Sequence, residues 1–205
     1  TQVSLPLEEG QVVLVGKIDR VDTYKNYIRV VDYKTNAKTF DLPDILVGLN
    51  LQMLIYLYAV VKKGNVTDEA KAAGILYMPA KSKIVKESLA MNGLLSSEEE
   101  IRFAMEKENQ GKYVPKYKDN SPSYIDEEMF ELIFSKIESL MTQMGQGVKE
   151  GEFAPNPTDG INVNACKYCD YANVCYVSSK KHKKAEKLSK EEIKEILKGG
   201  ENNGI

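Results

Sequence analysis

A chain of 205 residues that is 42% hydrophobic and 28% charged, with a net charge of −2, fits one globular domain with appendages, or one domain and a small second lobe. It has no apolar run long enough to cross a bilayer and no visible signal peptide, which points away from a membrane or secreted protein and towards the cytoplasm. Its three cysteines, all between 166 and 175, are too few, odd in number and too clustered for a disulfide framework, and suggest a metal or cluster in a reduced compartment. The first residue is not Met and strand-like sequence begins almost at once, so we expect a piece of a longer polypeptide.

In chain order, residues 11–22 and 27–35 are rich in Val and Ile and flank TYKN, the pattern of a β-hairpin. DLPD at 41–44 opens a helix, with Pro in its first turn and acids near its positive end, expected to run to about Lys63 and stop at Gly64. LQMLIYLYAVV (51–61) is apolar nearly all round, so that helix should be buried across a sheet. AAGILYMPA (72–80) reads as a further core strand, and a short strand is expected around Lys83–Leu89. A helix at about 97–109 precedes a loop, and Ile125, Met129, Ile133, Ile137, Leu140 and Met144 form one stripe of a helix over 125–145. A lysine-rich helix covers about 189–198. Residues 178–198 hold eight lysines against four glutamates, most simply a solvated helix face rather than a nucleic-acid contact. We divide the chain into a core with a helical extension (1–160), a cysteine segment (161–178) and a lysine-rich tail (179–205). No GxxxxGK[ST] phosphate loop occurs, which excludes an ATP motor of that kind within these residues.

Within the hairpin, Asp19, Asp22 and Asp32 interrupt apolar strands. If the turn is the two-residue loop Lys25-Asn26, Tyr24 faces Tyr27 and Asp19 comes opposite Asp32. Lys34, two residues on, shares their face, while Asp22 takes the other. Two ionised carboxylates about 4 Å apart repel by roughly 4 kcal/mol at an effective dielectric near 20. A shared proton, a lysine or a divalent cation must offset that. Oxygen ligands suit Mg²⁺ or Mn²⁺ completed by water and phosphate. With a lysine beside it, such a site fits phosphodiester hydrolysis. Gln52 and Tyr56, one helical turn apart, should aim at the carboxylates or at a nearby strand of DNA, or else serve the core.

GKIDRVD (16–22), VVDYKT (30–35) and QMLIY (52–56), in this order, resemble the PD-(D/E)xK nucleases of the RecB/AddB type. The resemblance covers nearly the whole chain, including GILYMPA (74–80) and the cysteine segment. It implies an α/β, restriction-endonuclease-like core, a mixed central sheet flanked by helices, with a C-terminal cysteine-containing helical segment. By the same resemblance Asp19 and Asp32 are metal ligands with the Tyr33 carbonyl, Lys34 is the catalytic lysine, and Gln52 and Tyr56 fill a Q-x-x-x-Y motif. The family's early motif, a His or acid on a helix before the first strand, has no counterpart here. The implied activity is Mg²⁺-dependent exonucleolytic cleavage of DNA, on the 5′-terminated strand, within a helicase–nuclease that processes double-strand ends for recombinational repair beside a helicase-bearing A subunit. A stand-alone exonuclease of the CRISPR-associated type and a non-catalytic DNA-binding module of the same fold are the alternatives.

Cys166, Cys169 and Cys175 have a metal-chelate spacing among polar neighbours. Zinc wants a fourth ligand, for which His182, the one histidine, is available, although its lysine-rich surroundings weigh against it. A [4Fe–4S] cluster wants four thiolates. The resemblance implies such a cluster in the parent protein, closed by an upstream cysteine, and an incomplete site in this piece.

Overall fold

The computed structural model describes residues 2–7, 9–35, 39–64, 66–80, 91–106, 111–167, 169–175 and 182–199. Among these, a five-stranded mixed sheet runs in the order β3 (Arg20–Tyr24), β4 (Tyr27–Lys34), β5 (Lys71–Pro79), β6 (Asn92–Ser96), β7 (Tyr124–Ile125). β3–β4 and β5–β6 are antiparallel, whereas β4–β5 and β6–β7 are parallel. The chain has the mixed-sheet α/β architecture expected of a restriction-endonuclease-like core.

The hairpin turns at Lys25-Asn26, with Lys25 in the left-handed region (φ 53°) and Tyr24 opposite Tyr27. Alternation along β4 then divides two cores. Ile28 and Val30 face the larger one with Ile75 and Leu94, while Val31 faces the smaller one with Leu76, Leu95 and Tyr124. Helix α1 (Gln52–Tyr58) crosses β4 and β5 on the first face, where Met53, Leu54 and Leu57 are fully buried. Helix α3 (Glu127–Glu150) packs beside it through Phe130, Ile133, Phe134, Ile137 and Leu140.

Two expected elements are divided. Residues 11–22 are not one strand: β2 (Gln11–Val15) pairs with β1 (Gln2–Pro6) in a separate ribbon, and the chain re-enters the central sheet at Arg20. The helix expected from 43 to 63 is a 3₁₀ turn (Leu42–Val47), then α1, then a wider π-type turn (Ala59–Lys63). Gly48 and Asn50 have φ of 78° and 56°, and left-handed residues cannot continue a right-handed helix. Gly64 follows the last turn, as expected.

Helix α2 (Glu99–Met105) is shorter than expected. α3 runs beyond 145 to a left-handed Gly151, and Met144 leaves the stripe, about half exposed where the helix outruns the core. The strand expected near Lys83–Leu89 lies outside the described residues. The lysine-rich helix, α5 (Lys190–Lys198), begins at a Ser189 capping box and puts Ile193 fully into the larger core. Lys194 bridges Asp126 and Glu128 at the start of α3 and Lys198 also pairs with Glu128, so this helix is fastened to the core by buried Ile193, with Leu197 packed on the same cluster, and by these ion pairs. No helix among the described residues is long and apolar enough to cross a membrane.

Candidate active site and cysteine segment

The hairpin register runs as far as Arg20 opposite Val31; continued by one residue, it would set Asp19 across from Asp32. Asp19 lies just outside β3, exposed, and its Oδ2 accepts the Tyr33 N–H at 3.1 Å. Asp32 is buried, with the Lys34 ammonium 2.7 Å from its Oδ2. That contact is an ion pair without hydrogen-bond alignment, so among the described residues the buried Oδ2 accepts no aligned donor. A buried carboxylate oxygen that meets one lysine among the described residues retains lone-pair capacity for another cation. In parallel register Asp32 lies beside Tyr77 on β5. Burial, then the Asp32 charge, push the Tyr77 phenol up to about 12, so it stays neutral near physiological pH. Tyr77 was not singled out in the sequence, where it reads as one more apolar strand residue.

The Tyr33 side chain, by alternation, takes the opposite face and is 44% exposed. Asp22 shares that opposite face and pairs with Arg20 at 2.7 Å and Arg29 at 2.5 Å. Burial raises its carboxyl, but hydrogen bonds from the two guanidinium groups more than offset this and leave it below its ordinary value.

Gln52 occupies the first turn of α1 and is exposed, where a buried position was expected; its Nε2 donates to the Tyr56 hydroxyl at 3.4 Å. The Tyr56 ring packs against Gly16, in the link between β2 and β3. A Cβ at Gly16 would fall 2.6 Å from Tyr56 Cε1, so only glycine lets the ring approach. Beside these residues lies a groove of about 360 Å³ walled by Val3, Leu14 and Ile55, with Gln52 and Tyr56 at its polar lip.

Divalent-metal chemistry fits this donor set: two carboxylates and the end of a strand supply hard oxygens. Among the described residues no three His, Cys, Asp or Glu side chains converge on one point. Side chains alone therefore supply at most two acidic ligands here, and main-chain or substrate oxygen would have to complete the shell.

The cysteine segment is built differently. β8 (Thr158–Asp159) pairs in parallel with β9 (Lys183–Lys184), bringing His182 back to Cys166. The Cys166 thiol lies 3.8 Å from His182 Nε2, and His182 Nδ1 lies 3.2 Å from Asp159 Oδ2. Asp159 Oδ1 also accepts the Ala165 N–H at 2.9 Å. Cys169 is exposed, and Cys175 ends a short helical turn, Ala172–Cys175, none of whose residues is buried. Burial pushes the Cys166 thiol up, and the neighbouring Cys169, Asp159 and Cys175 add to that. The segment is tied to the core by Asp44, which is fully buried under the 3₁₀ turn. Asp44 accepts the Ile161 N–H at 2.7 Å and the Asn50 amide at 2.8 Å, and Asp41 accepts from the Asn162 amide at 2.9 Å. Burial raises the Asp44 carboxyl above its ordinary value. Neither aspartate was recognised as an anchor from sequence, where both read as helix-start acids.

A family model described as the PD-(D/E)XK nuclease superfamily matches residues 1–176. The chain belongs to this superfamily. It is 30% identical over 226 residues to the ATP-dependent helicase/deoxyribonuclease B subunit of Clostridium kluyveri, covering 93% of this chain and 20% of the relative. The protein of the same name from Clostridium novyi is 30% identical over 228 residues, covering 95% and 20%. Its counterpart in Natranaerobius thermophilus is 31% identical over 205 residues, covering 84% and 17%. The chain thus spans about a fifth of the length of these curated relatives, and its match to them, like the superfamily itself, identifies a nuclease domain.

Proposed function

We propose that this chain is the metal-dependent deoxyribonuclease domain of a helicase–nuclease, hydrolysing the phosphodiester bonds of DNA one strand at a time from double-strand ends. The observation that carries the reading is the buried Asp32 with Lys34 on its own face, 2.7 Å away, where the hairpin register directs Asp19. Asp19, Asp32 and the Tyr33 carbonyl would hold Mg²⁺ or Mn²⁺. Such an ion, when bound, polarises a phosphoryl oxygen and makes hydroxide available near neutral pH.

The protein's own contribution is placement. The Tyr33 N–H restrains the Asp19 carboxylate. Lys34, drawn to Asp32, holds its ammonium where negative charge would develop on phosphorus. Neutral Tyr77 supports the strand beside Asp32 without adding a second charge. Gln52 and Tyr56 present an amide and a hydroxyl to the sugar-phosphate backbone, and the apolar groove beyond them would seat the flat face of a base. The names of the relatives favour a helicase–nuclease over a stand-alone exonuclease. Exonucleolytic action, the 5′-terminated strand, a helicase-bearing A subunit as partner and a cytoplasmic setting follow from the family resemblance.

The test is cleavage of linear duplex DNA with Mg²⁺ by the complete polypeptide and its partner subunit. Asp32→Ala and Lys34→Ala should each slow cleavage about 10²–10³-fold while DNA binding persists. Wild-type rates in both variants would overturn the assignment.

A further inference from the structure

The buried carboxylate of Asp44 serves two parts of the molecule at once. Oδ1 accepts the N–H of Ile161, 117 residues further along the chain, and Oδ2 accepts the side-chain amide of Asn50, just ahead of Gln52. An anchor for the Ile161 segment needs only the first of these. We propose that Asp44 and Asn50 are positioning residues for the DNA contacts of α1: their hydrogen bond fixes where α1 begins, and so where Gln52 and Tyr56 stand, with the Ile161 segment as its brace. The proposal rests on the nuclease reading for the DNA role of Gln52 and Tyr56, and it adds two residues that act through them.

Asn50 is where the direction of α1 is set. Its φ of 56° is left-handed, a conformation that asparagine adopts more readily than most residues with a side chain. Leu51 follows in the right-handed helical region, and its carbonyl accepts the Ile55 N–H at 2.8 Å as α1 opens. Gln52 and Tyr56 then share one face of the helix, the Gln52 amide donating to the Tyr56 hydroxyl. A change in the backbone at residue 50 therefore moves both side chains together. Asp44 holds this turn at two points: its carbonyl accepts the Leu49 N–H at 2.9 Å, and its carboxylate takes the Asn50 amide at 2.8 Å.

The brace fits closely. A Cβ at Gly160 would lie 2.7 Å from Asp44 Oδ2, so only glycine brings the chain near enough for Ile161 to donate. Further on, the Asn162 amide donates to Asp41 Oδ2 at 2.9 Å, at the N-terminal end of the same 3₁₀ turn. Asp44 is fully buried, and a buried carboxylate is stable only with its oxygens hydrogen-bonded. Loss of either donor leaves part of this carboxylate unsatisfied, which couples residues 160–162 to the start of α1.

The test uses the complete polypeptide with its partner subunit, a single-stranded oligonucleotide and Mg²⁺, with each variant confirmed folded by thermal unfolding. Asn50→Asp sets two carboxylates against each other. It should speed hydrogen exchange of the Ile55 amide and raise KM about 10-fold while kcat stays within about twofold. Asp44→Asn combined with Asn50→Asp exchanges donor and acceptor and keeps an oxygen for the Ile161 N–H. That pair should bring KM back to within about twofold of wild type. In a Gln52→Ala, Tyr56→Phe protein, Asn50→Asp should raise KM less than about twofold further, because its effect runs through those side chains. An unchanged KM in Asn50→Asp, no rescue by the exchanged pair, or full additivity with the Gln52→Ala, Tyr56→Phe change would overturn the proposal while leaving the nuclease reading intact. A wild type that leaves DNA uncut would overturn the nuclease reading, and this proposal with it.

Discussion

At the end of β4, Asp32 and Lys34 are paired with β5 just beyond the end of β3 and stand on a strand backed by Ile28, Val30 and Ile75. Between β8 and β9, Cys166 and His182 hang from a two-residue ladder, the Asp159 hydrogen bonds and the link to Asp44. Both places collect ionisable groups. In the first, apolar burial pays for the order of the strand. In the second almost no apolar area is buried, and order comes from polar anchors. The contrast separates side chains carried on a packed sheet from a segment held by polar links.

The comparison can be tested from its stronger side downwards. The largest stability effect should come from Phe130→Ala in α3, where the ring is 1% exposed: about 3–5 kcal/mol in denaturant unfolding, with hydrogen-exchange protection of β4 and α5 falling together. A loss below about 1 kcal/mol would show that the larger core does not hold both. Asp44→Ala should cost about 1–3 kcal/mol, because the Ile161 N–H and the Asn50 amide lose their acceptor. It should speed exchange across 158–166 far more than in β4; equal acceleration in both would refute Asp44 as the local tether.

Two acid-range measurements carry opposite signs. Asp44 keeps its proton to a higher pH in the folded state than in the unfolded chain, so its contribution is fullest below the ordinary value of 3.8 and is lost as pH rises through the folded value. Asp44→Asn should remove that decline. Asp22 is held below 3.8, so its stabilisation is present above 3.8 and is lost as pH falls through the folded value. Asp22→Asn should flatten the acid limb below about pH 4, and a limb identical to wild type would contradict the Arg20–Asp22–Arg29 account. Smallest of all, Ser189→Ala removes the oxygen that accepts the Glu192 N–H at 3.2 Å. It should cost about 1 kcal/mol, read as a lower melting temperature with cleavage unchanged.

Much of the candidate site was legible because it is local. A hairpin with a two-residue turn has one register, so the parity of Asp19, Asp32 and Lys34 follows from counting along two adjacent strands. Gln52 and Tyr56 are a single turn apart on one helix, and their alignment follows from helical period alone. What counting missed was the context of each. Gln52 is exposed because Gly48 and Asn50 break the long helix just before it, making it a first-turn residue. The early strand divides because residues 11–15 find a partner in β1 rather than in β4.

The sequence by itself determined the superfamily resemblance, the hairpin register, the buried helix, the apolar stripe of α3 and the spacing of the cysteines, all set by neighbours within a few turns or one tight loop. Tertiary structure decided which ionisable groups meet across longer separations. Asp44 clasps Ile161, Lys194 joins Asp126, and His182 leaves its lysine run to face Cys166 and Asp159. Those meetings depend on how β8 and β9 pair and how α5 buries Ile193, and no local period or propensity records a contact that two distant segments make only when the core between them closes.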